Sequence, residues 1–236
     1  HFWLPRAMSA PPPVSAYLHS ATMVKAGVFL LARLFPVLSG TEAWLVTVTS
    51  VGAVTLLFGA SFALYGRFLK GLLAYSTVSH LGLITMLFGM GTPASAVAAV
   101  FHIANHAVFK ASLFMAAGII DHETGSRDMR KLNGLFWRMP HTAVLAMVAA
   151  GAMAGVPLLN GFLSKEMFFA ETLHSGTGGA WQTLLPLTAT LSGVLAVAYS
   201  LRFIHDVFFN GEPVGLEREP HEPPRWMKVP VELLVT

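Results

Sequence analysis

The sequence predicts an all-α integral membrane protein, a polytopic bundle of about six full transmembrane helices and two partial ones. Of the 236 residues, 54% are hydrophobic and only 11% are charged. A soluble domain is about 25% charged, so this chain has too few charges to cover an ordinary globular surface. Its apolar residues also gather in runs of about 20, the length that crosses a bilayer. Because backbone amides cannot stay unpaired in lipid, each run is expected to be helical.

The apolar runs occur at six positions, separated by connectors rich in glycine, proline and charge. The predicted spans cover residues 14–35, 43–65, 72–91, 95–120, 141–173 and 182–209. Residues 1–8 are expected to end a broken helix, residues 210–228 to form a cytoplasmic loop, and residues 229–236 to begin another helix. We therefore expect one transmembrane domain, taken from a longer polypeptide.

The basic residues divide unevenly between the two sets of connectors that alternating spans would place on opposite sides of the membrane. One set contains Arg6, Arg67, Lys70, Arg127, Arg130, Lys131, Arg138, Arg202, Arg218, Arg225 and Lys228. The other set contains only Arg33. Loops rich in Lys and Arg stay in the cytoplasm, so the first set is expected to face the cytoplasm. Adding or removing one span would destroy this separation.

The fifth run, residues 141–173, is too long for one straight crossing. It contains Pro157 and the pair Asn160-Gly161, which are residue types that interrupt helices. The sequence therefore predicts a discontinuous helix with its break near residues 155–161. Interrupted helices expose backbone groups that line a cavity, and they mark transport sites in many carriers.

The composition also excludes several classes of protein. The chain has no cysteine, which excludes disulfide frameworks, thiolate metal sites and cysteine nucleophiles. The pI is about 9.4, but the basic residues are scattered, so we expect no nucleic-acid partner. Phosphate-binding glycine loops and zinc-hydrolase motifs are missing from the sequence. We therefore expect no cofactor, no resident metal and no catalytic residue, as in a transporter subunit rather than an enzyme.

Three lysines fall inside the predicted spans, namely Lys25, Lys110 and Lys165. A cation at the bilayer centre costs about 2.5–3.5 kcal/mol even on the lenient insertion scale. Ionisable residues at that depth mark ion pathways and proton relays. All three lysines are therefore candidate residues of a proton or ion path through the membrane.

The fourth span carries the most specific pattern in the chain. His102, His106 and Lys110 are spaced i, i+4 and i+8, so they lie on one stripe of a helix about 12 Å long. Imidazole accepts a proton on one ring nitrogen and releases one from the other. The stripe therefore favours a proton relay over ordinary packing. A metal site is not predicted, because the histidine pair lacks an evident third ligand.

Four further residues are weaker candidates for the same path. His19 lies six residues before Lys25, so the two side chains face different neighbours. His80 lies inside the third span, and Lys70 lies near the membrane edge, where its long side chain can reach water. Glu166 belongs to the second half of the broken helix and could either join the path or face an interface.

Several motifs occur together in a fixed order along the chain. They are His1 to Pro5, Ala10 to Gly27, Leu73 to His80, His102 to Lys110, Gly155 to Pro157, and Gly161 to Glu166. In this combination the chain resembles the antiporter-like membrane subunits shared by Mrp-type multisubunit Na⁺/H⁺ antiporters and respiratory complex I. Within that family it is most similar to the Mrp subunit called MnhA or PhaA, because of Lys25 and the 220–228 loop.

The resemblance implies that the chain runs from the second half of a broken seventh helix to the start of helix fourteen. It places on one polar axis the residues Lys25, His19, His102, His106, Lys110 and Lys165, with Lys70 as a link. The implied function is exchange of Na⁺ or K⁺ for protons by a subunit of a hetero-oligomeric complex in the bacterial cytoplasmic membrane. The ions are transported rather than held as cofactors.

Two other functions stay open on the sequence. The same fold and path could belong to a proton-pumping subunit of a complex I-like NADH:quinone oxidoreductase, driven by redox chemistry in partner subunits. Alternatively, the chain could be a structural membrane scaffold that conducts no ion. Unimpaired transport after neutralising all three inner lysines would support the scaffold.

Overall fold

The computed structural model describes residues 3–174 and 179–235, and most of this part of the chain is helical. The α-helices are α1 (Trp3–Arg6), α2 (Pro12–Ser20), α3 (Ala26–Leu38), α4 (Glu42–Tyr65), α5 (Leu69–Gly89), α6 (Pro93–Thr124), α7 (Pro140–Ala154), α8 (Asn160–His174), α9 (Trp181–Ile204) and α10 (Arg225–Val235). Short 3₁₀ turns cover Ala7–Ser9, Met23–Lys25 and Leu135–Trp137, and a π-helical turn, His205–Phe209, follows α9. The predicted all-α class is confirmed.

Five helical segments in the described ranges are long and apolar enough to cross a membrane. They cover Pro13–Leu38, Glu42–Tyr65, Leu69–Gly89, Pro93–Thr124 and Trp181–Phe209, and the apolar helix Pro140–Ala154 is shorter. Large apolar side chains such as Phe29, Val54 and Leu201 are exposed on the outer faces of these helices. Lipid tails are as apolar as these side chains, so such an exterior fits a bilayer.

The first predicted span, residues 14–35, is not one continuous helix. Thr22 has φ −115° and ψ −89°, which separates α2 from the 3₁₀ turn at Met23–Lys25 and from α3. The Oγ1 atom of Thr22 donates to the carbonyl oxygen of Tyr17 at 3.2 Å, which satisfies part of the interrupted ladder. The segment still matches the predicted span in position, and the sequence does not signal the interruption, because no proline or Asn-Gly pair lies at it.

The fifth predicted span is interrupted where the sequence placed the break. Helix α7 ends at Ala154, and Gly155 adopts the left-handed conformation with φ 88°. Helix α8 then begins at Asn160, after Leu158, a non-glycine residue with φ 75°. Gly161 packs directly against the carbonyl group of Ala152, so a Cβ atom at Gly161 would overlap that carbonyl. The predicted discontinuous helix is confirmed.

Helices α4 and α5 form a close antiparallel pair along a row of glycines. Gly52 and Gly59 of α4 press against the α5 backbone at Met86 and Ser79. In return, Gly82 and Gly89 of α5 press against the α4 backbone at Leu56 and Thr49. On each helix the glycines are seven residues apart, which brings them to the same face at every second turn. Small residues let backbones approach closely where no hydrophobic force drives helix pairing.

The remaining boundaries differ from the expected ones by a few residues. Helix α6 runs over Pro93–Thr124, beyond the predicted 95–120, because Thr92 caps its start and Gly125, with φ 69°, ends it. Helix α10 begins at Arg225, so residues 225–228 belong to a helix rather than to the expected loop.

The 121–138 connector ties the start of α5 to the end of α6. The backbone N–H of Leu69 donates to the carbonyl oxygen of Arg127 at 3.0 Å. Phe68 and Asp128 form an isolated antiparallel bridge beside it. The Arg130 guanidinium binds the Asp128 carboxylate at 2.6 Å and lowers the pKa of Asp128 to about 2. Asp128 therefore keeps its negative charge at every physiological pH.

Candidate functional site

Lys110 has the most enclosed head group of the candidate lysines, with 0% of the residue exposed. Its Nζ atom donates to the Oγ atom of Ser76 at 2.5 Å and to the carbonyl oxygen of Leu73 at 3.2 Å, both on α5. The Sδ atom of Met153, on α7, lies 3.4 Å from the same nitrogen. Lys110 therefore joins α6 to α5 and α7, and the oxygens that it contacts are neutral.

Lys165 lies at the break between α7 and α8. Its Nζ atom donates to the carbonyl oxygen of Ala154 at 2.9 Å. Ala154 is the last residue of α7, where carbonyl groups lack an intrahelical partner. A Cβ atom on Gly155 would lie only 2.7 Å from the Cδ atom of Lys165. The break therefore supplies both the acceptor and the space for this lysine.

Lys25 lies at the other interruption, between α2 and α3. Its Nζ atom donates to the carbonyl oxygen of Ile103, on α6, at 2.7 Å. The lysine also borders an open groove of about 470 Å³, whose lining includes Phe29 and Val100. Lys25 and Lys165 therefore share one arrangement: each lies where a helix is interrupted, and each binds a main-chain carbonyl group.

None of the three inner lysines has a carboxylate partner within residues 3–174 and 179–235. The ion pairs of these residues involve other side chains. An ammonium group that is held only by neutral oxygens keeps its full positive charge, which is costly in a low-dielectric interior. Release of a proton to a neighbouring acceptor relieves that cost, so the arrangement suits groups that gain and lose protons.

A chain of hydrogen bonds runs through two of the buried histidines. The Nδ1 atom of His80 lies 2.9 Å from the Nε2 atom of His102, and the two rings are stacked. The Nδ1 atom of His102 lies 3.0 Å from the Oγ atom of Ser164, the residue before Lys165. At the other end, the hydroxyl group of Tyr199 lies 3.3 Å from the Nε2 atom of His80. Helices α5, α6, α8 and α9 therefore meet at this chain.

His19 and His106 are fully buried, but their ring nitrogens have no hydrogen-bond partner among the described side chains. The ring of His106 lies 5.3 Å from the ring of His80, measured between centroids. The ring of His19 lies 5.8 Å from that of Phe114. Buried polar groups are almost always bound to protein or to ordered water. The ring nitrogens of these two imidazoles therefore have hydrogen-bonding capacity that the described side chains do not use.

Lys70 is buried at the end of the bundle where the 121–138 connector lies. Its Nζ atom donates to the carbonyl oxygen of Ala10 at 3.1 Å and lies 3.9 Å from a carboxylate oxygen of Asp121. The Nε atom of Arg127 also binds Asp121, at 2.8 Å. Asp121 and Arg127 line an open cavity of about 600 Å³ together with His122 and Arg218. Lys70 therefore stands between this cavity and the interior of the bundle.

Glu166 does not join the other candidates. It is exposed on the outer face of α8, although the adjacent Lys165 is buried. Successive residues of a helix point about 100° apart, which separates the two side chains. The structure therefore buries eight of the nine candidates and leaves Glu166 exposed.

Three residues at the site were not singled out from the sequence, namely Ser164, Tyr199 and Asp121. Ser164 lies within the Gly161 to Glu166 motif, so its neighbours offered a signal. Tyr199 is a polar aromatic residue in an otherwise apolar span, which is a weak signal. In the described residues, no group of three or more His, Asp or Glu side chains could hold a metal ion.

Comparisons with curated proteins identify close relatives. The chain is 67% identical over 235 residues to the probable K⁺/H⁺ antiporter subunit of A/B type from Rhizobium meliloti (strain 1021), covering 100% of this chain and 24% of that protein. It is 45% identical over 252 residues to the Na⁺/H⁺ antiporter subunit of type A from Bacillus subtilis (strain 168), covering 100% of this chain and 32% of that one. The chain therefore spans about a quarter to a third of the length of these relatives.

Two solved structures share the fold. In the Mrp complex from Dietzia sp. DQ12-45-1b, the similar chain has a TM-score of 0.88 and 43% identity, over 99% of this chain and 25% of that one. In the membrane-bound sulfane sulfur reductase, an archaeal respiratory membrane complex, the similar chain has a TM-score of 0.85 and 28% identity. That match covers 99% of this chain and 47% of the other.

A comparison with protein families matches residues 1–195 to the family described as NADH:quinone oxidoreductase/Mrp antiporter, TM. This match covers more than half of the 236 residues. Together with the apolar helices, it identifies a multi-pass protein of the plasma membrane. The chain belongs to the transmembrane family of NADH:quinone oxidoreductase and Mrp antiporter subunits.

Proposed function

We propose that this chain is part of a multisubunit monovalent-cation/proton antiporter, within one of its membrane subunits, and carries protons through its buried lysines and histidines. The observation that carries the proposal is the arrangement of Lys25, Lys110 and Lys165. Each of these residues is buried, each head group is held by neutral oxygens, and the His80–His102 chain ends at Ser164, next to Lys165. The names of the relatives, as K⁺/H⁺ and Na⁺/H⁺ antiporter subunits, support a transporter rather than an enzyme.

The order of contacts suggests how protons move along the axis. Lys25 binds the carbonyl of Ile103, next to His102, and His102 contacts Ser164, next to Lys165. Each imidazole takes a proton on one nitrogen and releases one from the other. Internal water at His19 and His106 would extend the relay towards α2.

Charge on one lysine affects the protonation of the next. Two positive charges repel each other more strongly in a low-dielectric interior than in water. Protonation of Lys110 therefore raises the free energy of protonating Lys165 and favours passing the proton onward. A cation gradient or the membrane potential would drive this exchange in the assembled complex.

The proposal is tested in everted membrane vesicles that contain the whole complex, with this chain in its full-length subunit. We expect Lys110→Ala and Lys165→Ala to reduce cation-driven proton movement to the level of vesicles without the complex. The matched control is Lys131→Ala, which removes an exposed lysine of the 121–138 connector. Wild-type exchange in both inner-lysine variants would remove the proposed mechanism and support a structural scaffold.

A second function is favoured by one comparison. The likeness to the sulfane sulfur reductase, at 28% identity, allows a redox-driven proton pump with the same path. The antiporter is distinguished by proton movement that a Na⁺ or K⁺ gradient drives without any electron donor. Replacing Na⁺ by K⁺ in the same vesicles identifies the transported cation.

We also infer that the longer protein assembles with other subunits in the membrane. The Mrp complex and the archaeal respiratory complex are both assemblies. Purification of the tagged full-length protein in mild detergent should recover these partners at fixed stoichiometry. Recovery of the tagged protein without partners would contradict this inference.

A further inference from the structure

The ammonium group of Lys110 uses its three hydrogens on three contacts. Its Nζ atom lies 2.5 Å from the Oγ atom of Ser76, 3.2 Å from the carbonyl oxygen of Leu73 and 3.4 Å from the Sδ atom of Met153. An ammonium group has three donors and no acceptor, and Lys110 is 0% exposed. In the described part of the chain, these contacts therefore leave no N–H group of the protonated lysine open to water or to another base.

None of the three contacting groups can pass a proton on. The carbonyl group of Leu73 has no hydrogen to release. The hydroxyl of Ser76 already donates to that same carbonyl oxygen at 2.9 Å, so a proton that entered at Ser76 would also end at Leu73. The thioether of Met153 is a weak acceptor and carries no exchangeable hydrogen. Lys110 therefore holds its proton in this arrangement, and release requires that one contact be replaced.

Met153 is the contact that is replaced most readily. Its sulfur atom is the most distant of the three acceptors and the weakest of them. A methionine side chain is unbranched and has three rotatable bonds, so it adapts easily to a different position. Ser76 and Leu73, in contrast, are joined to each other on α5.

Met153 also lies next to the contact of the second inner lysine. It is the last residue but one of α7, and Ala154 follows it at the break. The carbonyl oxygen of Ala154 accepts from the Nζ atom of Lys165 at 2.9 Å. Two consecutive residues at the end of α7 therefore contact the two lysines, one by its side chain and the other by its main chain.

We propose that Met153 is a gate between Lys110 and Lys165. Its side chain closes the third N–H group of Lys110, and a proton leaves that lysine only while the sulfur atom is turned away. The proposal rests on the proposed function, because it states when one lysine can pass its proton to the next. Met153 acts through Lys110 and is a positioning residue.

Water is the co-reactant of the transfer that the open gate permits. When the sulfur atom turns away, water takes its place at the third N–H group of Lys110. That N–H bond breaks, the water passes a proton to the neutral amine of Lys165, and a new N–H bond forms there. Lys110 becomes neutral, and Ser76 can turn its O–H group towards the lone pair of that amine. Lys165 is 7% exposed, so its proton has an opening through which to leave.

The test measures proton leak in everted vesicles that contain the full complex, after a pH step in choline buffer without Na⁺ or K⁺. In Met153→Ala, the three side-chain atoms beyond Cβ are removed, which leaves more than the roughly 30 Å³ that one water molecule occupies. We expect a leak at least about threefold above the wild type, the factor that corresponds to loss of one weak hydrogen bond. Met153→Leu keeps the bulk of the side chain and should leak no more than the wild type.

Two further variants separate a gate from a loss of packing. Met147→Ala is the matched control, because Met147 lies on the same helix and packs against the core, but is rotated by about 240° from Met153. It should not leak. In Met153→Ala combined with Lys110→Met, which keeps an apolar side chain of similar length but no ammonium group, the leak should disappear. Met153→Val removes less volume and replaces Met153→Ala in these comparisons if the alanine variant does not assemble.

The outcomes distinguish the gate from the proposed function. If Lys110→Ala abolishes exchange but Met153→Ala leaks no more than Met147→Ala, the gate is overturned and the antiporter remains. A leak that persists without the Lys110 ammonium group, or a leak in Met153→Leu as large as in Met153→Ala, would overturn the gate as well. If Lys110→Ala and Lys165→Ala both keep wild-type exchange, the proposed function itself fails.

Discussion

The Nζ atom of Lys165, on α8, lies 2.9 Å from the carbonyl oxygen of Ala154, at the end of α7. The end of a helix carries a partial negative charge on its unsatisfied carbonyl groups. The break in this helix therefore provides a neutral acceptor for an ammonium group at a depth where a carboxylate would itself be costly. Gly155 leaves the space through which the lysine reaches that acceptor.

Substitution of Gly155 should therefore disturb Lys165. In Gly155→Ala, the new Cβ would lie 2.7 Å from the Cδ atom of Lys165, and φ would remain at 88°. The left-handed conformation costs an alanine about 1–2 kcal/mol, and the lysine must shift as well. We expect a lower melting temperature and a reduced exchange rate in vesicles.

Gly27→Ala is the matched control for that prediction. Gly27 is helical, and a Cβ there would meet nothing within 4 Å. We expect this variant to retain the melting temperature and the exchange rate of the wild type. Equal behaviour of the Gly155 and Gly27 variants would contradict the role given to Gly155.

The glycine row between α4 and α5 predicts a second stability effect. A Cβ atom on Gly82 would overlap the backbone nitrogen of Leu56, so Gly82→Ala forces the two helices apart. Overpacking of this kind costs about 1–3 kcal/mol or more. We expect a lower yield of folded protein and earlier thermal unfolding. Gly71→Ala, where the nearest atom would be 3.8 Å away, should show neither effect.

The contact between Lys70 and Asp121 predicts that substitutions of these two residues have non-additive effects on transport. Asp121→Asn removes the carboxylate that lies 3.9 Å from the Lys70 head group. A partly exposed ion pair contributes up to about 1 kcal/mol, so we expect exchange to fall about two- to fivefold. In a Lys70→Gln background the same substitution should have a smaller effect. Strictly additive effects would show that the two side chains act independently.

The Asp128–Arg130 ion pair is expected to stabilise the folded protein equally at pH 6 and pH 9. The hydrogen bond that Arg130 donates to Asp128 lowers the pKa of Asp128 to about 2, below the value of about 3.9 in the unfolded chain. The stabilisation is therefore complete above about pH 4 and is lost as the pH falls towards 2. We expect Asp128→Asn to lower the melting temperature equally at pH 6 and pH 9. A difference between these two pH values would show that Asp128 titrates in this range.

Much of the fold could be predicted from the sequence because a lipid environment permits few backbone conformations. Long apolar runs must be helical, and Pro157 with Asn160-Gly161 marked the break before Lys165. The interruption at Thr22 was missed, because nothing in the run from residue 14 to residue 35 signals it. Beside this interruption, Lys25 reaches across to the carbonyl group of Ile103 on α6, a tertiary contact that the local sequence does not reveal.

The candidate site was predicted in part, for a similar reason. Buried lysines and histidines are conspicuous because their burial is costly, so Lys110 and His102 could be found by type and spacing. Tyr199 could not, since a tyrosine in an apolar span is an ordinary packing residue until its hydroxyl is placed beside His80. Glu166 was chosen as the neighbour of Lys165, and the helical rotation turns it outward, away from the interior.

Helix α6 is continuous for 32 residues while the segments on both sides of it, α2–α3 and α7–α8, are interrupted. At 1.5 Å per residue it is a rod of about 48 Å, with His102 and Lys110 along its length and Asp121 near its end. A rigid rod transmits a displacement undiminished, whereas an interrupted helix bends. Displacement of the Asp121 end of α6 would therefore move His102 and Lys110 together, whereas α2–α3 and α7–α8 can bend at their interruptions.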